Sequence, residues 1–164
     1  MKRKCMLVFT ILVLCGIAVS CSSLKARRVE DLPLVESEVK IDDTNPDEFY
    51  KNFEEFRDWI DTSHILINAY YDKHTGSGEL EANGRIDYER TSSGAIKQRD
   101  DWDFGAYTIY YTLKVLFKDG QAKFSGEIYF STYDYFDSVD VTDDAFQLFI
   151  DRINYIASFF EKEG

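Results

Sequence analysis

The chain has 164 residues, 45% of them hydrophobic and 16% aromatic, enough for one globular domain with a real core plus a processing or linker segment. Nineteen cations face 30 acids, a net charge of −11, which argues against nucleic acid as a partner because phosphate binding rests on clustered cations. Three Cys and two His leave little for a disulfide framework or a His-rich metal centre, so no metal and no cofactor is expected.

Lys2, Arg3 and Lys4 precede the apolar run Met6 to Leu14, and small residues follow as far as Cys21. A segment this short reads as an export signal rather than a bilayer-spanning helix. Ala18-Val19-Ser20-Cys21 resembles the lipobox of bacterial lipoproteins. The resemblance implies cleavage before Cys21 and a lipid on its thiol, with Ser22 in the next position implying an outer-membrane address in the cell envelope. A plain secretory signal cut near Ser20 and an uncleaved anchor are the alternatives. Removing residues 1–20 takes three cations, no acids and two Cys, leaving 16 cations against 30 acids and a charge of −14. The exported domain then has no internal disulfide and no catalytic thiol, and its core must hold it.

Residues 21–33 read as the lipidated Cys and a polar tether, with the domain expected over 34–164. Lys25, Arg27 and Arg28 suit either anionic lipid head groups or a solvated linker. Val35, Ser37, Val39 and Ile41 share one face of an expected strand. Asn45 and Pro46 form a helix start, and Phe49, Phe53, Phe56 and Ile60 a single apolar stripe, so a helix is expected over 46–61. Four strands follow by alternation: Ile65, Ile67, Ala69, Tyr71; Leu80, Ala82, Gly84, Ile86, Tyr88; Tyr107 through Phe117; and Phe124, Gly126, Ile128, Phe130. Asp119-Gly120 signals a hairpin. Thr142 caps a second amphipathic helix near 143–162, with Phe146, Phe149, Ile153 and Ile156 in its stripe. The expected fold is α+β, a single antiparallel sheet in β-α-β-β-β-β-α order with both helices on its apolar face.

That order is found in each half of the TATA-binding-protein fold. The stretches Asp47-Glu48-Phe49-Tyr50 to Trp59-Ile60, Tyr71-Asp72-Lys73 to Gly84, Tyr111 to Val115, and Lys118-Asp119-Gly120 to Phe124 resemble a bacterial domain family of unknown function. That family consists mostly of exported proteins and lipoproteins with a TBP-like fold. The resemblance spans roughly residues 34–130 and implies the fold. It brings no catalytic residues.

The face away from the helices is expected to carry Asn68, Tyr70, Glu79, Glu81, Asn83, Arg85, Thr108, Tyr110, Thr112, Lys114, Glu127 and Tyr129. Its mixed charge does not suit minor-groove binding. His64 and His74 match no ligand spacing and read as loop-packing or solvated side chains. Ser92-Ser93-Gly94 lacks the strand-to-helix setting of a hydrolase nucleophile. Asp100, Asp101 and Asp103 around Trp102 lie in the long 91–104 connection without the order of an EF-hand, and Asp134 to Asp144 read as a solvated turn with helix capping. Tyr70, Arg85, Tyr110 and Tyr129, with Trp102 from the connection, are the candidate binding surface, since Tyr buries area at low entropy cost. The expectation is a non-catalytic, membrane-tethered interaction domain with a protein partner. The alternatives are a small-molecule or lipid pocket between sheet and helices, and, last, an envelope hydrolase.

Overall fold

Alternating strands and two amphipathic stripes produce a mixed α+β domain. The computed structural model describes residues 26–41, 46–99, 105–118, 120–134 and 137–161. In chain order these form β1 (Ala26–Arg27), a 3-10 turn (Val29–Asp31), β2 (Val35–Lys40), α1 (Pro46–Asp61), β3 (Ile65–Asp72), β4 (Ser77–Arg90) and β5 (Ile96–Arg99). Then come β6 (Tyr107–Lys118), β7 (Gln121–Tyr133), β8 (Asp137–Ser138), β9 (Val141–Thr142), α2 (Asp143–Ala157) and a closing 3-10 turn (Ser158–Glu161).

One sheet was expected and two are present among the described residues. The main antiparallel sheet runs β2-β7-β6-β4-β3, with β5 on β4 and β8 on β7, while β1 and β9 pair separately. The short strands carry too few residues for alternation to show. β5 turns part of the expected 91–104 loop into a hairpin, closed by Gly94 at φ +84° and by the Thr91 N–H donating to the Ala95 carbonyl. β1, with the 3-10 turn, folds residues 26–31 onto the domain, although the sequence places them in the tether.

α1 begins on Pro46 with Asp47 and Glu48 in its first turn, where carboxylates suit the positive end of the dipole. Asn45, its expected cap, lies outside the described residues. Thr142 caps α2, its hydroxyl accepting from the Ala145 N–H.

Both helices lay their stripes on one face of β6. Phe53 and Phe56 of α1 meet Phe117 at 5.2 and 6.0 Å, and Phe149 of α2 meets Tyr111 at 5.3 Å. Phe160 joins the helices by packing on Phe56 at 5.0 Å and Phe117 at 5.9 Å. Gly126 makes room for α2: a Cβ there would lie 2.5 Å from Ile153 Cδ1 and 2.8 Å from Phe149 Cζ. These rings occupy the space between α1 and the sheet.

Candidate functional site

The outer face divides into three zones. Its middle is a charge ladder, with Lys114 Nζ 3.7 Å from Glu81 and Glu36 2.7 Å from the Lys123 Nζ of the next row. At one end Tyr70, 62% exposed, lies in the row Tyr70–Glu79–Leu116–Lys123. At the other end Arg85 stands opposite Tyr110, and Tyr110 opposite Phe130. Six residues of β4 separate the rows of Glu79 and Arg85, about 20 Å along the strand at ~3.4 Å per residue. The expected patch is therefore split. Arg85, Tyr110 and Tyr129 come together, Tyr70 is remote, and Trp102 lies outside the described residues.

Two bulges build the aromatic end. On β7 the register shifts so that Tyr110 faces Phe130 while Tyr111 faces Ile128, leaving Tyr129 as the extra residue. A bulge re-aims side chains on its strand, and both Tyr129 and Phe130 are exposed. Tyr110 lies 6.4 Å from the Tyr129 ring and 6.0 Å from that of Phe130. On β3 the shift between Leu66 and Asn68 leaves Ile65 74% exposed and Ile67 also open. Strict alternation had put Ile65, Ile67 and Phe130 in the core stripes, and the bulges overturn that phase. Thr108, expected on the wet face, is buried and donates to Asp87 Oδ1 at 2.7 Å.

A groove of about 390 Å³ opens beside these rings. Tyr110, Tyr129 and Ile65 supply apolar walls, and Ser63, Asn83 and Arg85 polar ones. Arg85 is positioned by Asp87, whose Oδ2 lies 3.4 Å from its Nε. His64 also lines it, with its Nε2 2.8 Å from the Tyr111 hydroxyl and its Nδ1 2.8 Å from Ser63 Oγ. Gly84 allows that contact, because a Cβ would stand 2.6 Å from His64 Cδ2 and the Tyr111 hydroxyl.

The Ser63–His64–Tyr111 chain has the outline of a nucleophile, a base and an orienting group. Its electrostatics work against that use. Burial, reinforced by the charge of Arg152, lowers the His64 pKa to about 4 against a favourable backbone hydrogen bond at Ile60. A histidine acting as general base becomes cationic as it takes the proton, and here Tyr111 rather than a carboxylate lies behind it. His64 works better as a neutral hydrogen-bonding wall than as a base.

A second cleft, of about 550 Å³, lies across Tyr129 from the first. Arg28, Val29 and Leu32 form one side, and Glu127, Ser138 and Val139 the other. Tyr129 thus borders both. The acids singled out by sequence do not gather: Asp134 accepts from the Gly105 N–H, and Asp143 pairs with Arg27 at 2.7 Å. Among the described residues no group of three or more His, Cys, Asp or Glu is placed to hold a metal ion. Asp100, Asp101 and Asp103 lie outside them. His74 sits in the β3–β4 turn, where its backbone N–H and the Thr75 hydroxyl donate to Asp72 and lower that carboxyl's pKa.

The described residues define an α+β domain with an open polar sheet face and an aromatic groove at one end of it. No family profile and no curated protein matches the chain. A solved structure similar to it is that of a DUF4468 family protein from Bacteroides ovatus, 13% identical, with a TM-score of 0.43 over 66% of this chain. The match takes in 60% of that protein's length.

Proposed function

We propose that the chain is a bacterial envelope lipoprotein, anchored by a lipid on Cys21 at the outer membrane, whose domain binds a protein partner without catalysing a reaction. One observation carries the binding reading. Tyr110, Tyr129, Phe130 and Ile65 share the outer face beside Arg85, on a sheet that buries other rings inside. Exposed apolar clusters with a polar rim are characteristic of interaction sites. The long elements β2, α1, β3, β4, β6, β7 and α2 follow one another as in a TBP-like half, and we read the domain as having that fold. The acidic surface weighs against nucleic acid, and the rings between sheet and helices weigh against an interior ligand pocket.

The test is affinity capture of the lipidated protein from crosslinked envelopes. A stoichiometric protein should be recovered with the native chain and lost with Tyr110→Ala/Tyr129→Ala. Recovery unaffected by the double variant would refute the site. Cys21→Ser should release the domain from membranes, and retention without acylation would refute the anchor.

A further inference from the structure

We infer that the groove at Tyr129 receives a segment of a protein that is itself resident in the same membrane. The inference rests on the lipid anchor at Cys21 and extends it through the way residues 26–32 are folded. Ala26 and Arg27 pair with Thr142 and Val141. Arg27 is also ion-paired with Asp143 and lies 5.9 Å over the Phe146 ring, while Val29 and Leu32 pack against the core. The chain is therefore held to the domain from Ala26 onward. Five residue steps from Cys21 span at most about 18 Å however they run, less than the diameter of a domain this size. A tether reaching to residue 33 would have more than doubled that reach.

The point of attachment is also close to the groove. Arg28 and Leu32, just past β1, wall the same cleft as Tyr129, and Tyr129 walls the aromatic groove. The other end of the sheet, at the Gly120 turn, is eight residues of β7 away from Tyr129, about 26 Å. The short tether thus keeps the aromatic end near the bilayer and lets the Tyr70 end stand away from it. Lipid head groups suit this end poorly, because Glu30, Glu127 and Asp140 outnumber Arg28 in the lining of the cleft and would meet anionic lipid with like charge. Aromatic and aliphatic walls beside an Arg suit a polypeptide segment. A partner confined to the same membrane sees this groove at high effective concentration, an advantage that a partner in bulk solution does not share.

A photo-crosslinking residue replacing Tyr129 in the full lipidated chain tests this in intact envelopes, with and without a 20-residue Gly/Ser insertion between Lys25 and Ala26. With the native tether the adduct should contain a protein whose uncrosslinked pool stays with the membrane after a high-salt and alkaline wash. Lengthening the tether about fivefold lowers the effective concentration roughly tenfold by the three-halves power of length, so adduct yield should fall several-fold. Equal yields, an adduct with a protein whose uncrosslinked pool washes off, an adduct with phospholipid, or no adduct would each overturn the inference. Failure of the anchor is read separately: a Cys21→Ser chain that still sediments with membranes overturns the lipoprotein reading whatever position 129 reports.

Discussion

The two faces of the main sheet come from the same strands and differ in almost every physical respect. On the inner face side chains are selected for fit: Phe56, Phe117, Phe124 and Phe149 are fully buried, and Gly84 and Gly126 leave to neighbouring side chains the space that a single methyl group would need. On the outer face the same strands carry exposed ion pairs such as Lys123–Glu36, which contribute little to stability, and a few large apolar side chains with nothing packed over them. Stability resides on one side, and the proposed recognition site lies on the other. Substitutions on the two faces should therefore separate folding from binding.

The largest effect should come from the inner face. Phe56→Ala removes a ring that meets Phe117, Phe124 and Phe160 and should cost about 3–5 kcal/mol in denaturant unfolding. Next is acid. Because the His64 pKa falls from 6.5 to about 4 on folding, the neutral ring contributes its full stability above pH 6.5. That contribution is lost as pH drops towards 4, up to about 3 kcal/mol in all. Unfolding midpoints measured across this window should fall, and His64→Gln should remove that part of the slope. Gly84→Ala should cost about 1–3 kcal/mol by forcing His64 and Tyr111 apart, and the Tyr111 hydroxyl should then exchange faster by NMR. At the small end, Tyr110→Ala/Tyr129→Ala should change stability by less than about 1 kcal/mol while reducing partner capture at least tenfold. Tyr70→Ala should leave both nearly unchanged. A double variant that unfolds the chain as badly as Phe56→Ala would abolish the distinction between the faces.

The inner face was more legible in the sequence than the outer. The stripe Phe49, Phe53, Phe56, Ile60 predicts α1 over the span observed, because each of its residues is buried and helical periodicity reports burial directly. The Asp119-Gly120 signal falls at a two-residue connection between the paired Lys118 and Gln121, with Gly120 at φ +74°. The candidate site was only half legible. Arg85, Tyr110 and Tyr129 follow from strand parity, but Ile65, Ile67 and Phe130 do not, since a single extra residue in β3 and in β7 reverses the phase and leaves no compositional mark. His64 reads as a loop-packing residue, and its bond to Tyr111 joins positions 47 residues apart, which no local pattern reveals. β1 is two residues long and is fixed by β9 and by Arg27–Asp143, contacts made by tertiary structure alone.

The most direct test of the division between faces, and of the groove as the recognition site, is site-specific photo-crosslinking in intact envelopes from positions 129 and 70 of the same lipidated chain. Both side chains are at least half exposed on the outer face, and they differ in which end of it they occupy. The account predicts a discrete protein adduct from position 129 and none from position 70. Equal adducts from both positions, or an adduct from position 70 alone, would contradict it.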